Sequence, residues 1–174
     1  YSVSKSFVGM AIGLLADEGK ISLDGRAIDY FKSNPVYASV VANADKKIKK
    51  ATVRDLLKMT SPYDKGSSYN GAKDKDWVMT FLTNSNHYKL KEPGMRYRYD
   101  TGGTHLLGAI VEEITGKTFL EYLQEKALDE IGFSKNVWCV KAPEGFAWGG
   151  SGVMCTTRDL ARFASLVMHG GAYN

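Results

Sequence analysis

From Phe7 to Ala16 the chain runs without a charged side chain, and a helix over these residues is apolar around its whole circumference. Such a helix is buried. Asp17-Glu18 supply a polar exit and Gly19 a C-terminal stop, so the pattern predicts a helix over about residues 3–18. Gly9 and Gly13, four apart, would share one face and let another element approach closely.

The remaining periodicities are also mainly helical. Arg26 to Phe31 reads as a short amphipathic turn ended by Asn34-Pro35, and Thr52 with Asp55 opens a helix expected to run to Thr60 and to lie over the site region. Ser61-Pro62 stops it. A polar segment rich in serine, glycine and tyrosine follows as far as Gly71, then a short helix over Asp76–Leu82 and an asparagine-rich turn.

Glu92-Pro93-Gly94 is a turn signal, and Met95 to Tyr99 alternates apolar and charged residues with the period of a strand. A sharp bend at Asp100–Gly103 should then precede a periodic helix over Thr104–Thr115, closed by Gly116. Thr118 with Glu121 begins a helix to about Glu130, ending at Gly132. Val137–Val140 looks like a strand, Gly145–Gly152 a glycine and tryptophan loop, and Thr156 with Asp159 opens the last helix, which runs to Gly170. The expectation is one domain over residues 1–174, mainly α, with at least six helical segments against two or three short strands.

Composition narrows this little further. A chain of 174 residues, 44% hydrophobic, can bury a core, and a net charge of +4 is modest. The dense cationic run Lys46–Lys50 has no aromatic residues interleaved, so it reads as a solvated loop and nucleic acid is not an expected partner. The longest uncharged apolar stretch is about half of what a membrane span requires. Cys139 and Cys155 lack the spacing of a zinc site; free thiols are favoured over a disulfide, and no metal or cofactor is expected.

Chemistry enters at Ser2-Val3-Ser4-Lys5. Residues i and i+3 share a helix face, so the Lys5 amine could reach the Ser2 hydroxyl and take its proton or hold charge beside it. With so many serines and lysines about one such tetrapeptide is expected by chance, and a capping serine beside a solvated lysine fits these four residues equally well. Taken alone, Tyr99 reads as an ordinary strand aromatic and His105 as a packed or capping histidine. His87 and His169 look like loop or helix-end residues, and Trp138 fits a pocket wall or a cover for the core, with the core favoured. Trp148 fits either a pocket wall or the core.

Several separated blocks change that balance. Ser2–Lys5 with Leu15–Asp24, Thr52–Ser61, Pro93–Tyr99, Leu106–Glu112 and Gly152–Phe163, in this order, together resemble the serine β-lactamase-related superfamily, nearest its branch of class C β-lactamases, D-alanyl-D-alanine carboxypeptidases and esterases. The resemblance implies that Ser2 is the acylated nucleophile and Lys5 its charge partner. It also makes Tyr99 the tyrosine of a Tyr-x-Asn motif that relays protons, a phenol whose ionisation the Lys5 cation would lower. Thr101 stands where the family usually has asparagine, so a hydroxyl replaces the amide that would contact Lys5 and the substrate carbonyl. Ser61-Pro62 in place of Ser-Gly implies a reshaped loop.

The resemblance implies a serine acyl-hydrolase acting on a small ester, peptide or β-lactam, in a periplasmic or secreted setting, with a cytoplasmic one left open. Its rivals are a non-catalytic relative that binds or senses, and a helical interaction module with a fortuitous match. The family's third motif, Lys/His-Thr/Ser-Gly, is not found in the sequence, and the strands that the family places before the nucleophile helix are expected to be missing from it as well. The segment is accordingly expected to be the helical region of an α+β fold, an inactive fragment with little or no turnover. Its first helix would then expose apolar surface or cover it by self-association.

Overall fold

α6, Thr101–Thr115, is the element around which the others pack: Gly102 to Val111 are all buried, and α1, α4, α5, α7 and a 3-10 turn all contact it. Few helices are buried over ten consecutive residues. The sequence permits it because Gly102, Gly103, Thr104, Gly108 and Ala109 leave room for neighbouring backbone; a β-carbon on Gly108 would lie 3.2 Å from the α-carbon of Gly149. The computed structural model describes residues 1–67 and 74–173.

In chain order the described elements are α1 Ser4–Asp17, the 3-10 turn Ala27–Phe31, α2 Ala38–Asn43, α3 Lys46–Lys50, α4 Val53–Leu57 and α5 Trp77–Thr83. Then come α6, α7 Phe119–Leu123 with a π-helical continuation over Gln124–Leu128, β1 Trp138–Cys139, β2 Val153–Met154 and α8 Thr157–Met168. β1 and β2 pair antiparallel, Trp138 opposite Met154. The chain is thus mainly α, with one two-stranded sheet among the described residues.

The three threonine capping boxes read from the sequence are all formed, at Thr52/Asp55, Thr118/Glu121 and Thr156/Asp159. α1 runs over the expected residues and ends at Gly19, whose φ of +69° is left-handed. Its Phe7, Val8, Ala11, Ile12 and Leu15 are fully buried. Phe7 stacks on Phe163 of α8, centroids 4.0 Å apart, and meets Phe133 edge-on.

The structure corrects the sequence reading at several places. α1 is buried on one side only: Gly13 is exposed, Met10 and Leu14 are half-buried, and no neighbouring atom lies within 4 Å of a β-carbon built on Gly9 or Gly13, so no described element uses the close approach they offer. Lys46–Lys50 is a helix rather than a loop, because Asp45 caps it through the Lys47 amide and Ile48 is fully buried beneath it. α4 ends at Leu57, three residues before Thr60, where Met59 turns to a positive φ of 56°.

Met95–Tyr99 is not a strand. Met95, Arg96, Tyr97 and Tyr99 are all exposed, so the alternation does not mark two faces of a sheet, and one backbone bond, Arg98 N–H to the Met59 carbonyl (2.9 Å), holds the stretch. The bend before α6 is shorter than expected: the helix begins at Thr101, because the Asp100 carboxylate accepts from the Gly103 amide (3.0 Å) and caps it there. The helix after Thr118 turns π-helical at Gln124. Trp138 is 57% exposed and does not cover the core. Cys139 and Cys155 are free, half-buried thiols, and the polar stretch expected to reach Gly71 lies outside the described residues after Ser67. No helix is long and apolar enough to cross a membrane.

The open face of α1 gives a stability prediction. Gly13→Ala should raise the unfolding free energy by about 0.5–1 kcal/mol, since alanine is the better helix former and nothing obstructs its methyl group; urea unfolding measures this, and a loss of stability would show that something packs on that face.

Candidate active site

Ser2 lies just ahead of α1, in a turn whose Ser4 and Lys5 amides donate to the carbonyls of Tyr1 and Ser2. Ser4 fixes that turn: its buried hydroxyl donates to the Tyr1 carbonyl (2.9 Å) and accepts from the Val153 amide of β2 (3.0 Å). The geometry anticipated from the i, i+3 spacing is present, with Lys5 Nζ 3.2 Å from Ser2 Oγ. Ser2 is exposed and Lys5 half-buried, so the hydroxyl is open to a ligand while the amine is held from below.

Tyr99 reaches the same place from the far side of the sequence. The segment that carries it is tied to the end of α4 by backbone bonds, Gly94 N–H to Thr60 and Arg98 N–H to Met59. Gly66 backs it: its φ is +74°, and a β-carbon there would collide with the Tyr99 carbonyl oxygen, so glycine is required twice over. Lys5 Nζ then lies 4.9 Å from the centre of the Tyr99 ring, a cation over an aromatic face. Hydrogen bonding with Ser2, and then the Lys5 ammonium, hold the Tyr99 phenol below its ordinary value, outweighing a smaller upward push from burial.

The Asp100 carboxylate next to Tyr99 is buried and accepts from both the amide and the hydroxyl of Ser67 as well as from Gly103. It locks the junction between the tyrosine segment and α6. Thr101 follows as the first residue of α6, with its methyl group against Gly150. Ser2, Lys5, Tyr99 and Thr101, separated by almost 100 positions in sequence, therefore converge at the N-terminal ends of α1 and α6.

Two contributors were not singled out from the sequence. The Gly150 carbonyl accepts from Lys5 Nζ at 2.5 Å, giving the ammonium a second fixed partner beside Ser2. Glu144 forms a buried pair with His105, Nε2 to Oε1 2.6 Å, which makes His105 a packed residue of α6 as the sequence suggested. A backbone carbonyl carries no signal in residue type; Glu144 sits in a Pro-Glu-Gly stretch that reads as an exposed turn. His87 and His169 occupy a turn and the end of α8. Among the described residues no group of three or more His, Cys, Asp and Glu is arranged to hold a metal ion.

The chain is 29% identical over 181 aligned positions to a 6-aminohexanoate-dimer hydrolase of Paenarthrobacter ureafaciens, an alignment covering 98% of the chain and 45% of that protein. It is 24% identical to the human mitochondrial serine β-lactamase-like protein LACTB over 65% of the chain and 25% of that protein. Among solved structures, a 6-aminohexanoate-dimer hydrolase homologue from Bacillus anthracis superposes with a TM-score of 0.73 at 26% identity, covering 99% of this chain and 48% of the other. D-amino acid amidase from Ochrobactrum anthropi SV3 shares the fold, with a TM-score of 0.71 at 22% identity over 97% of this chain and 56% of the other. The chain spans about half the length of the relatives it matches end to end. The family model described as Beta-lactamase matches residues 1–173, and the chain belongs to that family of serine β-lactamases and penicillin-binding proteins.

Proposed function

We propose that the protein is a serine acyl-hydrolase that works through an acyl-enzyme on Ser2. The observation that carries this reading is the Lys5 ammonium set between the Ser2 hydroxyl at 3.2 Å and the Tyr99 ring at 4.9 Å. Tyr99 as phenolate takes the Ser2 proton while Oγ bonds to the substrate's carbonyl carbon. The resulting phenol returns that proton to the departing amine or alcohol as the carbon–heteroatom bond breaks. A water molecule then repeats the sequence in reverse and frees the acid. Lys5 stays protonated and favours the phenolate throughout.

The substrate class that best fits is a short linear amide or ester. The relatives at 29% and 26% identity carry the name of a 6-aminohexanoate-dimer hydrolase, a linear amide substrate. Thr101 bears on the same point, because its hydroxyl has one O–H to donate to a substrate carbonyl where an amide side chain has two N–H donors and a carbonyl acceptor. Turnover by these 174 residues is proposed to be slow, since Ser2 is exposed and Tyr99 is 51% exposed, so water competes for the charge that develops on the oxyanion.

A fluorophosphonate probe followed by peptide mapping tests the assignment. Ser2 should carry the adduct, Ser2→Ala should carry none, and Lys5→Ala and Tyr99→Phe should label about 100-fold more slowly or worse. Absence of any Ser2 adduct together with reversible binding of a penicillin would move the protein to the non-catalytic, binding alternative.

The pH dependence has a definite sign. The base is the ionised phenol, so labelling should rise with pH through an ionisation below the ordinary tyrosine range, and Tyr99→Phe should remove that limb. Initial labelling rates across pH measure it; a profile unchanged by Tyr99→Phe would dismiss Tyr99 as the base. With a chromogenic ester the pure chain should release product slowly and without a rapid burst, and rapid burst or sustained hydrolysis would contradict the open-site argument.

A further inference from the structure

We propose that Glu144 is a positioning residue for the nucleophile pair, acting through the strap of residues 144–150 on the Lys5 ammonium; this rests on the acyl-enzyme reading above. Glu144 follows Pro143 in a surface turn, yet its side chain is only 4% exposed. A carboxylate taken so far out of water needs fixed donors. It finds them on two different helices: His105 Nε2 of α6 at 2.6 Å on one oxygen, and the Trp77 backbone amide at the start of α5 at 3.0 Å on the other.

Burial pushes the Glu144 carboxyl up, but the hydrogen bond and charge of His105 with the Trp77 amide outweigh it and leave it below the usual carboxylate range. Asp76 from the α5 cap, Tyr37, whose hydroxyl donates to Asp76, and Glu113, whose charge acts on Tyr37, are further ionisable groups around this pocket among the described residues. The fastening continues along the strap. The Ala147 amide donates to Glu112 of α6 at 2.6 Å, and Trp148 packs edge-on against Trp77, centroids 5.3 Å apart.

At its far end the strap lies flush on α6. A β-carbon on Gly149 would come within 2.7 Å of the Thr104 carbonyl oxygen and 3.1 Å of the His105 α-carbon, and one on Gly150 would overlap the Thr101 methyl group. The Gly150 carbonyl held in this way is the one that accepts from Lys5 Nζ at 2.5 Å. One buried pair therefore anchors the strap to the helix turn that bears Thr101, and the strap holds the cation that serves Ser2 and Tyr99. Releasing Glu144 lets the Gly150 carbonyl drift, and Lys5 with it.

The test uses the 174-residue chain and its Glu144→Gln variant, which keeps an acceptor for the Trp77 amide but loses the charge facing His105. Two readouts are taken: the rate of Ser2 labelling by a fluorophosphonate, and the ionisation of Tyr99, read as the phenolate absorbance difference between each protein and its Tyr99→Phe partner. Glu144→Gln should label about 10- to 100-fold more slowly, and its Tyr99 ionisation should move up toward that of an ordinary tyrosine. A lower melting temperature with both readouts unchanged would reduce Glu144 to a structural ion pair and overturn the proposal.

If Glu144→Gln fails to fold, Gly150→Ala disturbs the strap at its other end with the ion pair intact and should produce the same two changes; its failure to do so overturns the proposal as well. If the parent chain takes no label while Glu144→Gln still shifts the Tyr99 ionisation, the acyl-enzyme reading falls and the positioning role stands.

Discussion

A single ammonium group organises this site. Lys5 Nζ touches a hydroxyl, a backbone carbonyl and an aromatic face, contributed by residues 2, 150 and 99. A half-buried cation has lost part of its hydration and is stable only where oxygen atoms and π-density replace it. Each of those replacements is brought by a different part of the fold, so the position of one charge depends on α1, on the segment preceding α6 and on the strap after β1 together.

That dependence explains why α6 is so unusual in composition. Its first turns must accept the tyrosine segment, the strap and α4 at close range, and a β-carbon on Gly103 would sit 3.4 Å from Leu56 and 3.2 Å from Asp100. Glycine in a helix costs about 1 kcal/mol relative to alanine. α6 offsets this by burial along ten residues and by the Asp100 cap, so the small residues that weaken the helix in isolation let three elements converge on its end.

What could be read from the sequence was local. Capping boxes, the uncharged run of α1 and the i, i+3 pairing of Ser2 with Lys5 all depend on residues within one or two helical turns, and each is present in the structure. The misreadings share a cause of the opposite kind. Met95–Tyr99 alternates as a strand would, but alternation marks a strand only when a neighbour pairs with it. Lys46–Lys50 looked solvated because one buried isoleucine among four lysines is a weak signal, yet Ile48 and the Asp45 cap decide it. Gly150 and Glu144 were invisible for a further reason: their roles rest on a carbonyl and on burial, and neither is written in residue type.

The convergence of helix ends bears on the chemistry itself. α1 and α6 both present their N-terminal turns to the site, and an N-terminal turn carries a partial positive charge of about half a unit. The acylation proposed above passes through an anionic oxygen at Ser2 and a phenolate at Tyr99, so both charges would form where two helix dipoles and the Lys5 cation already favour negative charge. Those contributions are set by the fold before any substrate arrives and need no rearrangement during the reaction, which is the condition for electrostatic stabilisation to lower a barrier rather than merely bind a ground state. Asp100, the carboxylate next to Tyr99 in sequence, would act against this if it faced the phenol. One of its oxygens is instead turned into the helix end, where Ser67 and Gly103 donate to it, and the groups that act on the ionisation of Tyr99 are Ser2 and Lys5, together with burial.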